Sequence, residues 1–333
     1  MRQGSATYTG VMVKTTESRP RIAVVFNPMS VSKSALSKAF SEHAEPLGYG
    51  AITWCPTTAA QDGTVVAAHR ALASNPSLIV VAGGDGTLRT VVAEVHSTGI
   101  PIGIIPTGSG NLFARNLQLP VNSIKKAVKK ALAGNLHKVD LAQAAFTADG
   151  HEQKHIFLVM AGFGLDAEMA TETNPQLKKR AGWLAYVAPI VRSVSRNVQH
   201  EMDIRLDDGK HVTTAAHTAI VGNCGTLTAN LLLLPEARVD DGLLDVVVFK
   251  PKNFGGWTQI WSRLAIGGAL NKTETGKAIL KAAPIMKALV YRQTTELEVD
   301  FHEPQVIQLD GDSFGEVQHV QVRVLPHALT VRA

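Results

Sequence analysis

Cysteine is nearly absent from this sequence: Cys55 and Cys224 are the only two in 333 residues. They stand far apart in apolar or glycine-rich contexts with no metal-ligand spacing, so they read as reduced structural thiols of a cytosolic protein. No run approaches the ~18 consecutive apolar residues that span a bilayer. The N-terminus lacks a charged-then-apolar secretion signal, and residues 1–19 are polar and aperiodic, which predicts a disordered segment. Internal repeats and low-complexity tracts are missing, which excludes a repeat array. Two common phosphate signatures, G-x-x-x-x-G-K-[ST] and G-x-G-x-x-G, are also absent.

What is present is the composition of a folded, two-domain chain, with 45% hydrophobic residues and enough length for two full cores. The net charge is +5 and the isoelectric point near 9.2, which suits nucleic acid, an anionic membrane or an acidic substrate. The segment from Lys250 to Arg292 carries eight basic residues against one acid, Glu274. Trp257 and Trp261 lie four apart within it and share a face if the segment is helical. Such a segment fits an anionic lipid surface; a solvated region whose tryptophans fill the core is the equal alternative. Lys125, Lys126, Lys129 and Lys130 read as the solvated face of a helix over 122–132, capped by Asn122 or Ser123.

The first half alternates apolar runs with helical periodicity. Strands are expected at 21–26, 50–55, 78–82 and 100–105, and helices near 33–45, 61–73, 88–96 and 112–117. That alternation calls for a parallel sheet covered on both faces. After Val139 the period becomes two: Met202, Ile204 and Leu206 alternate with Asp203 and Arg205, and Val320, Val322 and Val324 with Gln321 and Arg323. Such runs read as antiparallel strands. The expected fold is therefore α/β plus β. A doubly wound, Rossmann-like domain spans 20–139 and a mostly antiparallel, sandwich-like domain spans 140–317.

Residues 83–87 read Gly-Gly-Asp-Gly-Thr after the apolar run Leu78–Ala82. Three glycines let backbone approach a ligand closely, and glycine-rich backbone ahead of a helix is an anion site. Thr87 is the expected cap of the helix that follows. A carboxylate beside phosphate is repulsive without a cation between them, so Asp85 implies Mg²⁺ as well as nucleotide phosphates. The strand ending at Ile105 opens into a second such loop, Pro106-Thr107-Gly108-Ser109-Gly110-Asn111. Both loops then lie at the carboxyl edge of one parallel sheet, where ligands bind.

GGDGT followed by P-x-G-[ST]-x-N and the helix Phe113-Ala114-Arg115-Asn116 resembles the diacylglycerol kinase catalytic-domain family. Asn27-Pro28, Gly162–Asp166, Asp240–Asp245 and Leu309–Asp312 match in the same order. GGDGT alone is shared with NAD kinases. The resemblance implies ATP, Mg²⁺ and a lipid hydroxyl as acceptor, with no nucleic acid, at the cytoplasmic membrane surface; a homodimer stays open. It also implies that the chain end near 318–333 returns toward the first domain.

By this resemblance Thr57, Gly83, Gly84, Asp85, Gly86, Thr87, Leu88, Arg89 and Ser109 line the nucleotide site. Asn27 contacts the nucleotide or only starts the Asn-Pro turn. Asp312 is the implied base, an aspartate where the family usually has glutamate; on local pattern alone, Asp310-Gly311 is a hairpin turn. Asp241, with the carbonyls of Arg238 and Leu243, is the implied structural Mg²⁺ site. Asp166 orients the site or caps a helix. Arg89 stands where the family has asparagine, and either touches phosphate or lies on the exposed helix face. Leu112 stands where diacylglycerol-specific bacterial members often have aspartate. A dinucleotide kinase and a nucleotide- or lipid-binding module without catalysis are the competing readings.

Overall fold

The structure is a computed structural model that describes residues 19–164, 199–225, 234, 236–250 and 289–333. The expectations for residues 1–18, for Leu165 and Asp166, and for the tryptophan-bearing stretch at 251–288 lie outside the described residues.

The first half winds as β1 (Ile22–Phe26), α1 (Lys33–Ser41), β2 (Ile52–Pro56), α2 (Gly63–Ala73), β3 (Leu78–Gly83), α3 (Asp85–Val95), β4 (Ile102–Pro106), α4 (Leu112–Asn116) and α5 (Ile124–Ala133). The four strands pair in parallel in the order β2-β1-β3-β4. Alternation along β1 sends Ala23 and Val25 to one core, with Ala67 and Ala71 of α2 and Val91 and Val95 of α3. Ile22, Val24 and Phe26 meet Leu36 and Phe40 of α1 and Val128 and Leu132 of α5 on the other face. Helices on both faces of a parallel sheet are the expected doubly wound layering. The Ser123 hydroxyl caps α5 by accepting the Lys126 N–H.

Helix α3 begins earlier than its sequence suggests. Gly84, in extended backbone, is its N-cap, so Asp85, Gly86 and Thr87 already form the first turn. An acid in that turn is favoured by the helix dipole. Thr87 is therefore not the cap; its side chain fills the space where Gly83 lacks one.

The second half continues as β5 (Leu136–Ala148), β6 (His151–Phe157), β7 (Met160–Phe163), β8 (His200–Leu206), β9 (His211–Ala216), β10 (Thr218–Gly222), β11 (Leu244–Phe249), β12 (Leu289–Thr294), β13 (Glu296–Leu309) and β14 (Asp312–Arg332). These strands pair antiparallel with one another. They enclose a core that includes Phe146, Phe163, Met202, Val246, Val299 and Val320. Residue 139, where the sequence suggests a boundary, falls inside β5. At its far end β14 joins the first sheet, with Val331 and Arg332 parallel to Ile102 and Gly103 of β4. One continuous sheet thus ties the two halves together, and it brings the start of β14 onto the start of α3. Among the described residues no helix is long and apolar enough to cross a membrane.

Candidate active site

The order β2-β1-β3-β4 reverses between β1 and β3, so the crevice at their carboxyl ends is the switch point of the sheet, where open α/β folds bind ligands. Asn27 ends β1 there, and its N–H donates to the Ala82 carbonyl at 3.0 Å. Its side-chain Oδ1 accepts the Met29 N–H at 2.9 Å, an Asx turn that gives Asn27 the turn-forming role. Thr57 follows β2, buried, with its N–H bonded to the Phe26 carbonyl at 2.9 Å. The loops after β1 and β4 are joined by a 2.8 Å bond between the Ser30 and Thr107 hydroxyls.

The two glycine-rich loops touch through bare backbone. A Cβ on Gly108 would lie 2.6 Å from the Gly84 Cα and one on Gly84 3.4 Å from the Gly108 Cα. Asn111 holds the second loop closed: its Oδ1 accepts the Gly108 N–H at 3.0 Å and its Nδ2 donates to the Gly108 carbonyl at 2.7 Å. Buried, with φ of 51°, it takes the left-handed conformation that asparagine tolerates. Ser109 is the exposed residue at the loop tip.

Asp85 reaches from α3 to the N-terminus of α4, where its Oδ1 accepts the Phe113 N–H at 3.4 Å. Burial pushes its carboxyl up, while the backbone N–H groups of Leu112, Phe113 and Asn111 oppose the rise. Beside the metal role the sequence expects of it, Asp85 has a helix end to cap, so it fastens one loop to the other. Leu88, also in the expected nucleotide set, turns inward. Its side chain is in the core and its N–H bonds the Gly84 carbonyl, because i+4 from the cap is the inward face of α3.

The acid expected to act as base sits over this cradle. Asp310 and Gly311 have φ of 51° and 88°, and Leu309 pairs with Asp312, a two-residue turn of the kind that needs positive φ at both centres. Both readings of this segment therefore hold locally: the turn is real, and it delivers Asp312. The Asp312 Oδ2 would be 3.5 Å from a Cβ on Gly86 and lies 2.7 Å from Arg89 Nη2. Arg89 also lies 4.9 Å over the Phe314 ring, which is 4.4 Å from His155. Of the two roles expected for Arg89, the exposed helix face is not the observed one: the side chain is 13% exposed and its partner is the acid of the opposite hairpin, 223 residues away.

Asp310 is the functional residue whose role sequence reasoning missed. Its carboxylate accepts three backbone N–H groups, from Leu158 at 2.9 Å, Val159 at 2.8 Å and Met160 at 3.0 Å. Burial nonetheless pushes its carboxyl up to about 6. The same strip of backbone meets Asn223, whose Nδ2 donates to the Leu158 and Asp140 carbonyls at 3.2 and 3.0 Å. Asp140, fully buried, accepts the Gly242 N–H at 2.7 Å and the His327 N–H at 2.7 Å.

That chain of bonds ends at the expected metal loop. Asp241 Oδ1 accepts the Leu243 N–H at 3.1 Å, and the exposed Arg238 pairs with Asp240 through Nε. Burial raises the Asp241 carboxyl, and the neighbouring Asp140 adds to this. Buried Asp245 keeps an Oδ2 with no hydrogen-bond partner. Among the described residues no three His, Cys, Asp or Glu side chains form a metal cluster. One carboxylate with two carbonyls is instead a sparse oxygen set, of the kind that suits a hydrated Mg²⁺. The orphaned acid nearby fits a cation in that loop.

A doubly wound sheet with glycine loops at its switch point, and a carboxylate delivered onto them by a β-rich second half, defines a protein of the kinase class. Residues 21–144 match the family described as diacylglycerol kinase catalytic domain, and residues 159–333 match the YegS C-terminal NAD kinase beta sandwich-like domain. The chain belongs to the diacylglycerol kinase catalytic-domain family. Diacylglycerol kinase from Staphylococcus carnosus (strain TM300) is 26% identical over 318 residues, covering 91% of this chain and 95% of that protein. Diacylglycerol kinase from Bacillus subtilis (strain 168) is 25% identical over 312 residues, covering 92% and 94%. A crystal structure of a diacylglycerol kinase from Bacillus anthracis str. Sterne shares the fold, with a TM-score of 0.68 at 23% identity over 96% of this chain and 98% of that one.

Proposed function

We propose that this protein is an ATP- and Mg²⁺-dependent lipid kinase that transfers the γ-phosphate to the hydroxyl of a membrane lipid such as diacylglycerol. The observation that carries the reading is the carboxylate of Asp312 held over Gly86, above backbone suited to phosphate. In this reading the Gly83–Gly86 and Gly108–Gly110 backbones receive the nucleotide phosphates, and Ser109 and Thr57 supply hydroxyls at the same edge. Asp312 accepts the proton of the acceptor hydroxyl through Oδ1, with Oδ2 held by Arg89. Such a positioned base contributes typically 10²–10⁴-fold to a rate. Asp85 and Asn111 keep the cradle in shape. Asp241 and the carbonyls of Arg238 and Leu243 would hold a structural Mg²⁺, while a Mg²⁺ accompanying the nucleotide, next to Asp85, would supply positive charge against phosphate.

The acceptor is taken from a bilayer by a protein that docks at its cytoplasmic surface. The experiment is γ-labelled ATP with Mg²⁺, a mixed lipid extract and NAD. Labelled lipid is the expected product. Labelled NADP would replace the reading with a dinucleotide kinase, and no labelled product would leave a binding module.

A further inference from the structure

We infer that Arg89 is a positioning residue for this reaction: it acts through Asp312, by fixing that carboxylate over the phosphate loop, and not through the nucleotide. The inference rests on the lipid-kinase reading given above. Three observations carry it. Arg89 Nη2 is 2.7 Å from Asp312 Oδ2, and the arginine side chain is only 13% exposed while the aspartate is 50% exposed. The buried partner therefore sets the position of the mobile one. The guanidinium is itself held from a second side by the Phe314 ring, at 4.9 Å. Phe314 lies two residues beyond Asp312 on the same strand and packs on His155 and Phe146.

The geometry also supplies the reason an arginine is needed here. An exposed aspartate at the first position after a two-residue turn has free rotation about χ1 and no backbone partner of its own. Without a neighbour it samples several rotamers, and a base misplaced by about 1 Å can lose on the order of 10²-fold in rate. Arg89 comes from the third position of helix α3 after Gly86, so the same helix that carries the phosphate loop also places the base. The loop and the base are thereby kept in register although they belong to opposite halves of the chain. The guanidinium gives Nη2 to the carboxylate and one face to an aromatic ring, so the partner the fold supplies to it is the base.

The test is a double-mutant cycle in full-length protein, with γ-labelled ATP, Mg²⁺ and diacylglycerol in phospholipid vesicles. Arg89→Gln should lower kcat by roughly 10- to 100-fold with KM for ATP changed by less than about threefold. Asp312→Asn should lower kcat further, and Arg89→Gln added to Asp312→Asn should cost nothing more, because groups acting as a unit are not additive. If Arg89→Gln unfolds the protein, the same cycle is run with Arg89→Lys, which keeps a cation but not the fork; Lys should also retain more kcat than Gln. A raised KM for ATP at unchanged kcat, or a loss that multiplies with Asp312→Asn, overturns the inference and leaves the kinase reading standing. Full activity in Asp312→Asn overturns the inference together with the assignment of Asp312 as base and leaves a lipid kinase; no labelled lipid from the native protein removes both.

Discussion

The Cα of Gly84 and the missing side chain of Gly108 compete for one space: a Cβ on Gly108 would be 2.6 Å from that Cα. Backbone cannot yield as a flexible side chain can. The first loop is therefore pressed against the second, and the residue that permits it is glycine for lack of volume and not for an unusual φ.

Gly108→Ala follows directly. It should force the loops apart, cost about 1–3 kcal/mol in denaturant unfolding, and abolish nucleotide binding measured by calorimetry. Unchanged ATP affinity would mean that the cradle lies elsewhere.

Asp85→Ala tests the other contact between these loops. Because Asp85 caps α4, its removal should lower stability by about 1 kcal/mol as well as activity. A purely metal-holding Asp85 would lose activity with the thermal midpoint unmoved.

The hairpin that delivers the base depends on Asp310. Asp310→Ala strands three backbone N–H groups and replaces a residue type that tolerates positive φ with one that does so less well, so stability should fall by about 3 kcal/mol. Asp310→Asn keeps the turn preference and part of the acceptor set, and should lose roughly half as much. In both variants kcat should fall through Asp312 while ATP binding persists. Equal stability of all three proteins would sink this account.

His155 reports on the guanidinium beneath it. Burial lowers its pKa from the ordinary 6.5, and the positive charge of Arg89 lowers it further. The neutral ring is thus the one that folding favours. As pH falls through 6.5 the unfolded chain takes up this proton first, so the contribution of His155 to stability declines toward acid. A titration of its ring protons by NMR should give a midpoint below 6.5 in the native protein and a higher one in Arg89→Gln. A midpoint at 6.5 in both would place Arg89 away from this ring.

The sequence carried the layering of the first half because β1, β3 and β4 are near-continuous apolar runs buried on both faces by helices, with the half-buried β2 at the sheet edge. Gly-Gly-Asp-Gly-Thr and the loop at 106–111 were legible for the same reason: each follows such a strand directly. Asp310-Gly311 was legible as a turn because positive φ at two consecutive positions selects those residue types. Start and end points were less legible. Helix α3 starts at Asp85, where a capping rule points to Thr87, because the cap is a glycine and offers no side-chain signal.

What only the tertiary structure decided are pairings between residues far apart in the chain. Arg89 and Asp312 stand 223 residues apart, and Asp85 is fastened to a helix formed 27 residues later. No periodicity records which loop a carboxylate will reach, since that depends on how β14 is carried back along the sheet to meet α3. Local sequence fixes backbone preferences through sterics and burial, whereas a charge finds its partner only once the strands have set the distance between them.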